Sequence, residues 1–248
     1  MKKELILNYL IETYLNELSP ISSGELKRKC ELSFSPSTIR NYFQKLDNDG
    51  MIIKVHISSG SVPSKEALQK YWCENLDFEN LKISKKLLEE NANKFDVFIS
   101  YKKKQNLILD EVLNLSNKFI ILDFKIEEIV LKYSNELFNL FTELKGYSLE
   151  NIKKTLNILN IQINNKFSID KVDNFNREFL YKHYQEFFID DMFNEKIFDE
   201  FNKGFSFNKN YLVYKIDTII DNVQSEFIVL GDIYTNYVNL FNSIKEDI

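Results

Sequence analysis

Sulfur and imidazole are scarce in this chain of 248 residues, which has two cysteines (Cys30 and Cys73) and two histidines (His56 and His183). Two thiols exclude a disulfide scaffold and suit a reducing compartment. Four such side chains at these spacings cannot build an ordinary structural zinc site. Long apolar runs are also missing. None exceeds four residues, as in Phe119-Ile120-Ile121-Leu122, far below the roughly 20 that a membrane helix needs. Glu4, Asn8 and Glu12 interrupt any secretory h-region after Met1-Lys2-Lys3, so the expected compartment is the cytoplasm, with no membrane span. The six glycines form no phosphate-cradling loop, no serine stands in a nucleophile-elbow context, and neither cysteine has a visible relation to a histidine. The acidic pairs Glu89-Glu90, Glu127-Glu128 and Asp190-Asp191 are adjacent, so on a helix their side chains diverge into solvent. No catalytic, cofactor-binding or metal-ligating set emerges, and the chain reads as a non-enzyme.

What is present is a globular composition, with 44% apolar and 28% charged residues, in a length that suits one to two domains. Residues 1–75 carry ten Lys and Arg against nine Asp and Glu, a balance of +1, and the remainder carries −6. Pro20, Pro36 and Pro63 are the only prolines, and Gly24, Gly50 and Gly60 fall in the same stretch. Proline and glycine fix turns, so this part has short elements and sharp corners. A boundary is expected near residue 75.

Ile6, Tyr9, Leu10, Thr13 and Leu18 recur near a 3.6-residue period and predict a first helix over 2–18, stopped by Ser19-Pro20. Ser22-x-x-Glu25 has the pattern of a capping box, which starts a second helix running to about Cys30. The third helix is the best marked. Ser35 stands at the N-cap, Pro36 at the first helical position and Gly50 just past the end. Ile39, Phe43 and Leu46 form its buried stripe; Ser37, Arg40, Asn41 and Gln44 fall on the opposite face, flanked by Thr38 and Lys45. Arginine, asparagine and glutamine are side chains able to make bidentate contacts with guanine or adenine edges. Met51–Val55 predicts a strand, His56–Gly60 a loop, and Ser61-Val62-Pro63 a return; Ser64 then caps a fourth helix to about Trp72. Helix-turn-helix followed by a hairpin is a winged helix. From its residues alone it serves equally as a nucleic-acid reader or a protein-docking module, because polar helix faces are common and the near-neutral charge departs from the basic excess of DNA binders.

Beyond residue 75, Phe95–Tyr101, Leu107–Leu113 and Phe119–Ile126 predict strands. Ile126, Val130, Tyr133, Leu137, Leu140 and Leu144 predict a core-facing helix ended by Gly146. Ser148 caps another helix to about Asn160. Phenylalanines at 175, 179, 187, 188, 193, 198 and 201 predict helix over 171–203 up to Gly204, with His183 packed or half-exposed within it. Tyr211–Ile216 and Glu226–Leu230 predict strands and 232–245 a terminal helix. Strands, then helices, then strands again suggest an α+β domain interrupted by a helical insertion.

Three N-terminal stretches resemble the bacterial heat-inducible transcription repressors, the HrcA family. Ser35-Pro36-Ser37-Thr38-Ile39-Arg40-Asn41 is similar at six of seven positions to the family's Ser-Pro-Ala-Thr-Ile-Arg-Asn. His56-Ile57-Ser58-Ser59-Gly60-Ser61-Val62-Pro63 is similar to the wing pattern His-Thr-Ser-Ala-Gly-Arg-Ile-Pro, and Pro20-Ile21-Ser22-Ser23-Gly24-Glu25-Leu26 to Pro-Val-Gly-Ser-Lys-Thr-Leu. Further on, Gly146–Ile152 is similar to Gly-Leu-Thr-Leu-Glu-Glu-Ile, whereas Gly231–Tyr237 keeps only the outer glycine and tyrosine of Gly-Pro-Thr-Arg-Met-Asp-Tyr. Two departures stand out: the wing arginine is Ser61 here, and the family's Gly-Tyr-Arg after the wing is Glu66-Ala67-Leu68.

The resemblance implies an α+β protein in which an N-terminal winged helix-turn-helix (1–75) is followed by a GAF-like α+β domain (76–160 and 206–248) with a helical insertion (161–205) for dimerisation. It implies a homodimeric DNA-binding repressor of heat-shock chaperone operons on an inverted-repeat, CIRCE-type operator, modulated by the GroEL chaperonin. The DNA-contact candidates are Ser35, Ser37, Thr38, Arg40, Asn41, Gln44 and Lys45 on the third helix and His56, Ser58 and Ser59 in the wing. No cofactor is expected. The alternatives are a small-molecule-sensing winged-helix regulator and a winged-helix docking module.

Overall fold

A computed structural model of the chain describes residues 2–31, 33–56, 60–78, 80–104, 107–161, 172–183 and 196–246. They fall into two compact units, residues 1–101 with 174–248, and residues 102–173. The fold is mixed α+β.

The first unit opens with α1 (Lys2–Glu17), α2 (Ser23–Lys29) and α3 (Pro36–Asn48). The antiparallel hairpin β1 (Ile52–His56) and β2 (Gly60–Pro63) follows, then α4 (Lys65–Asn75). Each of α2, α3 and α4 begins where a serine hydroxyl accepts from a backbone N–H three residues on: Ser22 from Glu25, Ser35 from Thr38, and Ser64 from Ala67. At α2 the box is reciprocal, since the Glu25 carboxylate also accepts from the Ser22 amide. Capping satisfies amides that a short helix leaves without partners.

The rest of this unit is a sheet. β3 (Lys82–Ile83), β10 (Tyr211–Ile220), β11 (Val223–Asp232), β4 (Val97–Lys103) and β8 (Val172–Phe175) lie in that order, with β9 (Gly204–Asn208) also paired to β10. β10 and β11 turn through Asp221-Asn222, both with positive φ, the two-residue turn whose twist matches its strands. Helices α5 (Leu88–Lys94), α8 (Arg177–His183), α9 (Lys196–Glu200) and α10 (Tyr237–Ile244) complete it.

The N-terminal helices and the sheet share packing across the boundary expected near residue 75. One apolar core runs from Ile6, Leu10 and Ile39 through Trp72 to Val229, Tyr237 and Phe241. Trp72 is fully buried; its indole Nε1 donates to the Ile233 carbonyl at 2.9 Å and its ring meets Tyr237 edge-on. Tyr14 packs edge-on against Tyr234, and Asn236 donates to the Asn16 side chain.

The second unit has its own core. An antiparallel sheet, β5 (Glu111–Leu115), β6 (Phe119–Asp123) and β7 (Glu128–Lys132), packs Ile120, Leu122, Ile129 and Leu131 against Phe141 of α6 (Asn135–Glu143) and Ile152 and Leu156 of α7 (Leu149–Ile158). The unit starts earlier than the insertion expected at 161–205, because 102–161 already closes a core; 162–171 and 184–195 lie outside the described residues, with Phe187, Phe188, Phe193 and Asp190-Asp191 among them. Two helix expectations need correcting. The run from Ile126 is strand β7 before it is helix, since Ile129 and Leu131 alternate inward while Glu128, Val130 and Lys132 face out; a period of two wins, and Ser134 caps α6 afresh. Residues 172–175 likewise form strand β8, with helix only from Arg177. His183 is partly exposed at the end of α8, with Nδ1 3.1 Å from the Tyr211 hydroxyl and its ring against Phe179.

Candidate nucleic-acid interface

Helix α3 divides cleanly into two faces. Ile39, Phe43 and Leu46, spaced by four and three residues, are buried and fix the helix on the core beneath it. On the opposite side Ser37, Arg40, Asn41, Gln44 and Lys45 are exposed and Thr38 is half-buried. The structure therefore places these six candidates on one connected surface of the helix.

Their surroundings assign them different duties. The Ser35 hydroxyl accepts from the Thr38 amide at 3.1 Å and lies 2.7 Å from the Ser37 hydroxyl and 2.9 Å from that of Thr38. Ser35, Ser37 and Thr38 form a hydroxyl cluster at the helix N-terminus, and Ser35 is engaged in holding α3 in place. Lys45 extends its ammonium over the Tyr42 ring, 5.6 Å from the centroid; that ring meets Phe34 edge-on. The side chains of Arg40, Asn41 and Gln44 make no hydrogen bond or ion pair with the described residues. Three planar groups with unspent donors and acceptors thus project from a rigid helix.

The hairpin is anchored beside the start of α2. Ile21 and Ser61 exchange backbone hydrogen bonds of 2.9 Å in both directions, which extends the two-stranded ladder by one residue from the α1–α2 connection. Gly60 permits this approach. Its φ is +96°, and a Cβ there would stand 2.6 Å from the Ile21 carbonyl carbon and 2.9 Å from the Ser22 nitrogen. Ser61, at the position of the family's arginine, is only 3% exposed, so its side chain has no reach to an outside phosphate. His56 ends β1 with its backbone opposite Gly60. Ser58 and Ser59 lie outside the described residues.

Several cations around α3 are already engaged. Lys54 of β1 is 2.6 Å from the Asp47 carboxylate and Lys3 of α1 is 2.6 Å from that of Asp49. Lys29 contacts both Glu17 and Glu25. That contact, with the amide of Ser22, holds the Glu25 carboxyl below the usual glutamate range, and Glu17 leads in raising the Lys29 ammonium. Lys27 and Arg28, in the last turn of α2, are exposed and form no ion pair with the described residues. In the sequence the run Lys27-Arg28-Lys29 marks the cations of α2, whereas nothing local marks Lys54.

Among the described residues no group of three or more His, Cys, Asp or Glu side chains is placed to hold a metal ion. No described helix is long and apolar enough to cross a membrane.

Comparison with known proteins gives a consistent result. Residues 72–248 match the family model of the HrcA C-terminal domain. The heat-inducible transcription repressor HrcA of Helicobacter pylori strain 26695 is 30% identical over 253 residues, covering 99% of this chain and 95% of that protein. HrcA of strain J99 is 29% identical with the same coverage. A crystal structure of a hypothetical protein superposes with a TM-score of 0.51 at 15% identity, over 98% of this chain and 95% of that one, a likeness of fold alone.

Proposed function

Since the chain belongs to the HrcA family of heat-inducible transcription repressors, we propose that it represses heat-shock chaperone operons in the cytoplasm by binding an inverted-repeat operator of CIRCE type as a homodimer. In this reading α1–α3 and the β1–β2 hairpin are a winged helix-turn-helix, and the sheet behind them is GAF-like. The observation that carries it is the free polar face of α3, with Arg40, Asn41 and Gln44 uncommitted on a helix fixed by Ile39, Phe43 and Leu46. Major-groove edges are recognised by such bidentate groups, and Ser37, Lys45, His56, Ser58 and Ser59 are assigned to the flanking backbone contacts, with Ser35 and Thr38 at the helix start.

One copy is poorly equipped to hold DNA, with a balance of only +1 over residues 1–75. Tethering two copies makes the second contact intramolecular and raises avidity by ~10²–10⁴, and twofold symmetry then demands an inverted repeat. The surface we assign to the twofold contact is the outer face of β5–β7, where Leu113, Leu115, Phe119 and Val130 are exposed together. The GroEL chaperonin is assigned as the partner that keeps the repressor competent, so that heat acts through folding rather than through a ligand.

Mobility-shift titration on the chaperone-operon promoters of the source genome, with and without chaperonin, tests the proposal. Retardation of the inverted repeat well below the concentration that retards a scrambled duplex is expected. Equal retardation of both, or none at low salt with chaperonin present, would favour a protein-docking role. Release of DNA by a small molecule without chaperonin would favour a ligand-sensing regulator.

A further inference from the structure

The pair formed by Lys54 and Asp47 occupies an informative place. Asp47 follows Arg40 by seven residues on α3, two helical turns less about 20°, so it lies on the same flank of the exposed face. Lys54 reaches that flank from β1, with its ammonium 2.6 Å from the carboxylate. Both side chains remain open to solvent, 47% and 33% exposed, and exposed ion pairs of this kind are held weakly. If α3 seats a duplex, a backbone phosphate near this flank would compete with the Asp47 carboxylate for the same ammonium.

We propose that Lys54 is a phosphate-binding residue held in reserve by Asp47, which acts as an internal stand-in for the phosphate and suppresses binding to DNA that α3 does not recognise. The proposal rests on the reading of α3 as a DNA-recognition helix. Its physical content is an exchange of anions. When phosphate displaces Asp47, DNA releases a counterion while the freed carboxylate gathers one from solution. The net ion release from this contact is then near zero in the native protein. With Asp47 neutralised, Lys54 meets phosphate without that return, and the contact contributes its full share, about 0.9 in the slope of log K against log salt.

Three variants, Asp47→Asn, Lys54→Gln and the double, are titrated with a random duplex and an inverted-repeat duplex across a range of salt. Asp47→Asn is expected to steepen the salt slope by about one and to tighten random-duplex binding about five- to tenfold near 0.1 M salt, narrowing the ratio between the two duplexes. The double variant should lose that gain, and Lys54→Gln alone should leave the slope near the native value. An Asp47→Asn slope equal to native, or a gain that survives in the double variant, overturns the proposal, the latter by showing a general charge effect. If the native protein binds neither duplex at low salt, the recognition role of α3 fails and takes this inference with it. Circular dichroism of each variant confirms that a change in slope is not a loss of fold.

Discussion

Single residues set the sharpest tests. Arg40→Ala should cost ~1–3 kcal/mol in operator affinity if the guanidinium reads a base, and that loss should be concentrated on the cognate sequence. Binding titrations on cognate and scrambled duplexes measure it; a loss below a few tenths of a kcal/mol would remove Arg40 from base reading. Gly60→Ala strikes the architecture instead. The new methyl would fall 2.6 Å from the Ile21 carbonyl carbon on a backbone with φ of +96°, so a loss of about 2 kcal/mol or more is expected in thermal melting. The places of Ser35, Pro36 and Gly50 are legible in the sequence, since N-caps, first-turn prolines and terminal glycines are local signals. The pairing of Asp47 with Lys54 is not, because it joins a helix end to a strand and depends on where the hairpin lies. Gly231 and Tyr237 are an instructive case. They alone survive from a seven-residue family pattern, and in the fold they touch: a Cβ on Gly231 would stand 2.7 Å from the Tyr237 hydroxyl, which donates to the Asp232 carbonyl.

At the level of elements, α2 and α3 depend on their caps. Ser35→Ala should destabilise by about 1 kcal/mol, read as a lower melting temperature. The α2 box adds a dependence on pH. Lys29, aided by the Ser22 amide, lowers the Glu25 pKa in the folded protein, so the ionised form is favoured by folding. Its contribution is complete above the unfolded value of about 4.3 and is lost as pH falls through the lower folded value. Melting curves below about pH 4 should show that loss, and Glu25→Gln should flatten it. Strand β7 explains where periodicity misleads. Ile126, Val130 and Tyr133 happen to fit a helical spacing, yet Val130 is 49% and Ile126 79% exposed while Ile129 and Leu131 are buried. In a segment of alternating apolar and charged residues both periods fit for a turn or two, and the sheet partner decides. β3, β8 and β9 are similarly invisible locally, being two to five residues long and defined by strands distant in sequence.

Among the described residues one apolar cluster joins the N-terminal helices to the sheet, and another lies within residues 107–161. Trp72 is the only tryptophan and belongs to the first. Its emission should therefore follow unfolding of that unit alone, while far-ultraviolet circular dichroism follows both. Denaturant titrations by the two probes are expected not to coincide; a single shared transition would contradict separate cooperative units. Trp72→Phe should cost roughly 1–3 kcal/mol in the emission-independent transition, because it leaves the buried Ile233 carbonyl without its donor. The division expected near residue 75 rests on charge and proline content, which do change there, while the apolar core runs across it through Trp72.

The shared core has a practical corollary for anyone who wishes to transplant the N-terminal helices and hairpin. Cutting after residue 75 is the ordinary way to isolate a DNA-binding fragment, but here the scissors would strip the covering from Trp72 and Tyr14 and sever their bonds to Tyr237, Ile233 and Tyr234. Such a fragment would emerge with a sticky flank and a loosened α3, so a chimaera built from it must carry the C-terminal hairpin and final helix along.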